Sequence, residues 1–211
     1  MERVLCLLMG YVFGLFQTGY LYSRSKHMDI RNYGSENSGS TNVLRVMGKK
    51  AGLIVFLGDA GKMIAACLIT RVLFRSQPEL LYVYLLYTGF GVILGHNFPF
   101  YMEFKGGKGI AASAGLLVST DWRVMLVCLV VFVAAVAITR YVSLGSILVM
   151  ICFFIGMVFF GARGDFGIGA AHLTEFYVLA GLISAMGIWR HHTNIKRLLS
   201  GTENKLGARK E

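Results

Sequence analysis

Twenty uncharged residues, VLCLLMGYVFGLFQTGYLYS, separate Arg3 from Arg24. At about 1.5 Å per helical residue they reach across a hydrocarbon layer of about 30 Å. Further apolar runs follow at 51–70, 80 to about 98, 110–120, 124–139, 141–162 and 176–189. The pattern predicts seven transmembrane helices in an all-α integral membrane protein, one domain over residues 1–211. The fourth and last runs are short for a full crossing. Either their ends recruit flanking polar residues or the polar loops dip into the bilayer. The first run lacks a basic leader region and a small-residue cleavage site, so it reads as a span and not as a removable signal.

An odd number of crossings puts the termini on opposite sides, and the basic residues orient them. One side carries fifteen Lys and Arg, in 24–50, in 99–108, at Arg140 and in 190–211. The other carries five, namely Arg3, Arg71, Arg75, Arg123 and Arg163. The positive-inside rule makes the fifteen cytoplasmic and the N-terminus external.

Composition agrees with a membrane protein. Charged residues are 15% of the chain, against about 25% in an ordinary soluble domain. With so few charges and 13% aromatics, disorder is excluded too. The net charge of +10 suits nucleic acid, anionic lipid or a phosphorylated substrate. Its distribution argues against nucleic acid, because the basic residues abut lipid-length spans and form no stripe on a soluble element. Cys6, Cys67, Cys128 and Cys152 stand singly in apolar runs and read as packing residues. His27 and His172 stand alone as well, and no His, Cys or acidic cluster has metal-ligand spacing, so neither metal nor cofactor is expected.

Two features lie within the spans. Asp59 and Lys62 share one helical face, where an unpaired charge would be costly, and read as a buried ion pair. Gly10 with Gly14, and Gly91 with Gly95, have the spacing of close helix packing.

The polar segments gather on the cytoplasmic side, which a purely structural bundle gives no reason to expect. DIRNYGSENSGSTNVLR, residues 29–45, has the composition of an anion-binding loop and ends in the planar fork of Arg45. GHNFPFYMEFKGGKG, residues 95–109, runs straight into an apolar helix, so backbone N–H groups and Lys108 meet at a helix N-terminus. Gly109 after Lys108 departs from the nucleotide-binding P-loop, which needs Ser or Thr there. TRYVSLGS (139–146) and RHHTNIKRLLSGTEN (190–204) add hydroxyls, two histidines, Asn194 and basic residues. Arg190, Lys196 and Arg197 equally suit anionic lipid headgroups, and Lys205 to Lys210 reads as a solvated tail. A small anion transporter is the rival reading, weakened by the odd span count and the absence of an inverted repeat.

GSENSGSTNVLR, GHNFP with FKGGKG, TRYVSLGS and RHHTNIKRLLSGTEN, in this order across nearly the whole chain, resemble the PlsY family. These are integral membrane glycerol-3-phosphate acyltransferases that use acyl phosphate as donor. The resemblance implies a seven-span bundle in the cell inner membrane, with its active site facing the cytoplasm. The implied reaction passes a fatty acyl group from acyl phosphate to the 1-hydroxyl of glycerol 3-phosphate, giving lysophosphatidic acid and inorganic phosphate for phospholipid biosynthesis. It also implies functional coupling to an acyl-phosphate-forming enzyme. Carried over by motif, Ser35, Lys108, Ser146 and His191 are the catalytic candidates. Arg45, Asn42, His96, Asn97, Gly106, Gly107, Ser143 and Asn194 are the substrate-binding ones. Within this set, the backbone N–H groups of Gly106, Gly107 and Lys108 are expected to hold the acyl phosphate, and Arg45 with Asn194 the glycerol phosphate. His96 and Asn97 are alternatively braces for these loops. The chain departs from the family pattern at Gln17 (usually Pro), Glu36 (usually Gly), Met63 (usually Gly), and Ser38 and Ser40. Glu36 beside an anion loop is expected either to point outward or to alter affinity or substrate.

Overall fold

A computed structural model describes residues 1–207; the last part of the expected solvated tail lies outside the described residues. Ten α-helices are present among them: α1 (Glu2–Gly14), α2 (Thr18–Arg24), α3 (Ser40–Met47), α4 (Lys49–Leu73), α5 (Pro78–Asn97), α6 (Ile110–Thr120), α7 (Trp122–Thr139), α8 (Val142–Ala162), α9 (Leu173–Trp189) and α10 (His192–Leu199). Short 3-10 turns occupy Ile30–Asn32, Phe100–Met102 and Ala170–His172.

Six helical stretches are long and apolar enough to cross a membrane, Glu2–Arg24, Lys49–Leu73, Pro78–Met102, Trp122–Thr139, Val142–Ala162 and Ala170–Trp189. The short last run gains its length from the preceding 3-10 turn. The fourth run does not lengthen: α6 keeps 11 residues, about 17 Å, or roughly half the hydrocarbon thickness. It lies against α4, where a side chain on Gly115 would strike the Ala60 carbonyl. Near its far end the Ser119 carbonyl accepts a hydrogen bond from Arg71 at 2.6 Å. Gly115 of α6 meets Ala60 well inside α4, so α6 begins below the level at which α4 begins, and the glycine pair 106–107 that leads into it is buried.

The first run is a broken helix. Between α1 and α2 the chain turns at Leu15–Gln17, releasing carbonyls that a lipid environment cannot satisfy. Two buried side chains satisfy them. Gln17 Nε2 donates to the carbonyls of Gly14 (3.1 Å), Gly95 (3.2 Å) and His96 (3.0 Å). Lys62 Nζ donates to Phe16 O (2.6 Å) and Gly14 O (3.2 Å), and pairs with Asp59 Oδ1 at 3.1 Å. The expected ion pair is thus also a cap for a helix break.

The four spaced glycines act as expected. A Cβ on Gly10 or Gly14 would strike the backbone of α5, and one on Gly91 or Gly95 the backbone of α1, so the two helices pack backbone to backbone. A core of Met63, Leu86, Ile93, Leu116, Met150, Phe176 and Ile183, all nearly inaccessible, joins α4, α5, α6, α8 and α9. At the end of the bundle away from the polar loops, Arg3 of α1 clasps Glu175 of α9 at 2.5 and 2.8 Å, and Tyr87 of α5 adds a 2.9 Å bond. Every loop that carries a polar motif lies at the opposite end.

Candidate active site

At that polar end α3, α4, α5, α6, α7, α8 and α10 surround a cleft of about 880 Å³, counting its open mouth. Ser35, Asn42, Arg45, His96, Lys108, Ser143, Ser146, His191 and Asn194 all line it. Residues from four segments separated by as much as 159 positions therefore meet at one place.

The first loop is shaped by Asn42 in the first turn of α3. Its Oδ1 accepts the Ser35 N–H at 2.8 Å and its Nδ2 donates to the Tyr33 carbonyl at 2.9 Å. The loop passes through left-handed backbone at Gly34 (φ 65°) and Glu36 (φ 59°). Glu36 is exposed and does not line the cleft, as expected, whereas Arg45 on the next turn of α3 does.

The glycine turn is held from both sides. Gly106 N–H donates to Asn97 O and Gly107 N–H to His96 O, each at 3.1 Å. Arg190 donates to the carbonyls of Gly106 (3.2 Å) and Gly107 (2.7 Å). This corrects one expectation: neither glycine N–H is left to hold a substrate phosphate, and neither residue lines the cleft. Their role is close approach, since a Cβ on Gly107 would strike His96 Nε2 and one on Gly106 the His96 carbonyl. Asn97 takes the alternative position of a brace: its side chain is buried behind Gly109 and its carbonyl holds the turn. The donors that remain are Lys108 and the N-terminus of α6, where Gly109, Ile110 and Ala111 line the cleft without a capping side chain.

Lys108 Nζ donates to Asn194 Oδ1. Burial, reinforced by the charges of Arg197, Arg190 and Arg45 against that of Glu203, holds its ammonium down to about 8. Burial likewise pushes His191 down to about 4. Its Nδ1 lies 2.7 Å from the Gly187 carbonyl and so carries the proton, leaving the Nε2 lone pair free. His96 is fixed through Nδ1 by Lys62 at 2.8 Å.

One residue that organises the cleft escaped the sequence reading. Glu203, beyond α10, accepts from Ser143 Oγ (3.1 Å), Asn194 Nδ2 (2.8 Å) and Arg197 Nε (2.8 Å). The segment that carries it is pinned by Leu206, whose N–H donates to Arg140 O at 2.7 Å. The described start of the expected solvated tail, Lys205 to Gly207, is exposed, and this bond ties it to the bundle. Arg190, a residue that suits a lipid headgroup by its position in the sequence, buttresses the glycine turn. Glu203 sat inside the fourth motif, but nothing local to it indicated three partners. Ser146 Oγ donates to its own helix at Val142 O, 2.9 Å away.

Fold and site define a multi-pass helical membrane protein with a cationic cleft at one end of its bundle. The glycerol-3-phosphate acyltransferase family model matches residues 4–201. A glycerol-3-phosphate acyltransferase from Clostridioides difficile (strain 630) is 40% identical over 99% of this chain and 97% of its own length. One from Thermoanaerobacter sp. (strain X514) is 36% identical over 100% and 99%. The glycerol 3-phosphate form of PlsY, an integral membrane glycerol 3-phosphate acyltransferase, superposes with a TM-score of 0.84 at 33% identity, covering 98% of this chain and 96% of that one. Its lysophosphatidic acid form gives 0.81 at 32%. The chain belongs to the glycerol-3-phosphate acyltransferase family.

Proposed function

We propose that this protein transfers a fatty acyl group from acyl phosphate to the 1-hydroxyl of glycerol 3-phosphate, at the cytoplasmic face of a bacterial inner membrane. The observation that carries the reading is the single cleft in which Ser35, Arg45, Lys108, Ser143, Ser146, His191 and Asn194 converge. Two phosphorylated substrates repel each other, and a cationic, partly desolvated site with a helix N-terminus offsets that repulsion.

In this reading Lys108 and the N-terminus of α6 hold the donor's phosphate, while Ser35 and Arg45 hold that of the acceptor. The 1-hydroxyl oxygen attacks the acyl carbon, and the bond from that carbon to the phosphate oxygen breaks. Phosphate leaves with the electron pair. Neutral His191 offers Nε2 as a hydrogen-bond acceptor that orients the hydroxyl. An imidazole with its protonation held near 4 is a weak base, so the proton passes to a substrate phosphate. Acyl phosphate is an activated anhydride and needs little acid assistance. No acyl-enzyme is invoked: Cys6, Cys67 and Cys128 are buried in the bundle, and none of the four cysteines lines the cleft.

The topology belongs to the same reading: seven crossings, counting α6 as a short one, with the N-terminus outside and the cleft inside. Fifteen against five basic residues support it. An acyl-phosphate-forming enzyme must supply the donor, which makes functional coupling to such an enzyme part of the proposal. The test gives purified protein labelled glycerol 3-phosphate with acyl phosphate or acyl-CoA. Lysophosphatidic acid and phosphate in equal amounts, from acyl phosphate alone, are expected. Equal turnover of acyl-CoA would refute the donor assignment.

A further inference from the structure

The cleft is rich in hydrogen-bond donors, and its free imidazole acceptor, His191 Nε2, is already assigned to the 1-hydroxyl. Ser35, Arg45, Lys108 and the start of α6 suit phosphate oxygens, but a glycerol phosphate also brings hydroxyl hydrogens. Glu203 is occupied by Ser143, Asn194 and Arg197. Asn194 Oδ1 is taken by Lys108, and Asn42 Oδ1 by the Ser35 N–H.

Asp59 is different. Its Oδ1 accepts from Thr18 Oγ1 at 3.0 Å and from Lys62 at 3.1 Å. Its Oδ2 has no partner among the described residues, although Asp59 is 1% exposed and lines the cleft. A buried carboxylate oxygen left unpaired carries a standing cost that packing does not explain. Lys62 offsets the charge, so the residue need not repel a nearby phosphate.

We infer that Asp59 Oδ2 accepts a hydrogen bond from the 2-hydroxyl of glycerol 3-phosphate, making Asp59 a substrate-binding residue that determines acceptor specificity. The 1-hydroxyl must face the acyl carbon and lose its proton. The 2-hydroxyl keeps its hydrogen throughout and is the group that needs a lasting acceptor. The inference rests on the proposed acyltransferase reading.

The experiment compares kcat/KM for glycerol 3-phosphate with that for propane-1,3-diol monophosphate, which lacks only the 2-hydroxyl. A hydrogen bond to a charged acceptor supports a preference of about 10- to 100-fold in the wild type. In Asp59→Asn, whose Oδ1 can stay with Lys62 while the amide replaces Oδ2, the preference is expected to fall to about threefold or less. Because both acceptors are measured on the same preparation, a loss of folded protein cancels from the ratio. If Asp59→Asn alone does not fold, Asp59→Asn/Lys62→Gln removes both buried charges and answers the same question. Thr18→Val, which leaves Oδ2 untouched, is expected to keep the wild-type preference. A wild type without preference, a preference that survives in the Asp59 variants, or one that collapses equally in Thr18→Val overturns the inference while leaving the acyltransferase reading intact. A wild type that acylates neither acceptor removes that reading, and this inference with it.

Discussion

Lys108 is where stability and function pull apart. Burial holds its ammonium from an ordinary 10.5 down to about 8, so below pH 8 the folded protein carries a charge that its surroundings disfavour. That difference corresponds to about 3 kcal/mol of destabilisation near neutrality. Lys108→Met removes this cost and leaves Asn194 Oδ1 without its donor, a loss of about 1 kcal/mol. The variant is therefore expected to be more stable than wild type by about 1–2 kcal/mol at pH 7. The pH dependence has a fixed sign. Between pH 8 and 10.5 the unfolded chain binds a proton that the folded one has released, so wild-type stability rises through this window and the variant's advantage disappears. Activity moves the other way: losing a charge donor at a phosphate site costs about 10²- to 10³-fold in turnover. Thermal unfolding in detergent at pH 7 and pH 10.5, beside acyltransfer on the same samples, decides the matter. A variant destabilised equally at both pH values, or one with near wild-type turnover, refutes the assignment of Lys108 as a strained anion-binding group.

Gly107→Ala places a methyl against His96 Nε2, and His96 is held by Lys62, so the turn has to shift; a displacement of about 1 Å at Lys108 is expected to lower kcat/KM about 10²-fold while detergent-extracted protein remains folded. Ser143→Ala removes only a hydroxyl bonded to Glu203 and is expected to lose less activity than Lys108→Ala under the same assay. Glu36→Gly is expected to raise the unfolding midpoint modestly, because a non-glycine residue at φ 59° costs about 1 kcal/mol, and calorimetry would expose the absence of such a gain.

The seven apolar runs, the asymmetry of basic residues and the polar motifs were legible because hydropathy and charge are properties of consecutive residues. So were the glycine spacings of α1 and α5, since close packing requires the absence of side chains at fixed helical intervals. The break at Leu15–Gln17 was not legible: the run stays uncharged through it, and what permits it is the amide of Gln17 reaching the carbonyls of Gly14 and α5 and the ammonium of Lys62 arriving from the side. The sequence named the glycines of 106–107 but not their task. A free N–H and one already spent on His96 or Asn97 look alike in the chain, and only the fold decides which carbonyl stands opposite. For the same reason Glu203 and Arg190 acquired their roles only from tertiary contacts, across gaps that no local pattern records. Motif content follows from the residues themselves, whereas the set of polar atoms left unpaired, and so available to a ligand, is a property of the assembled bundle.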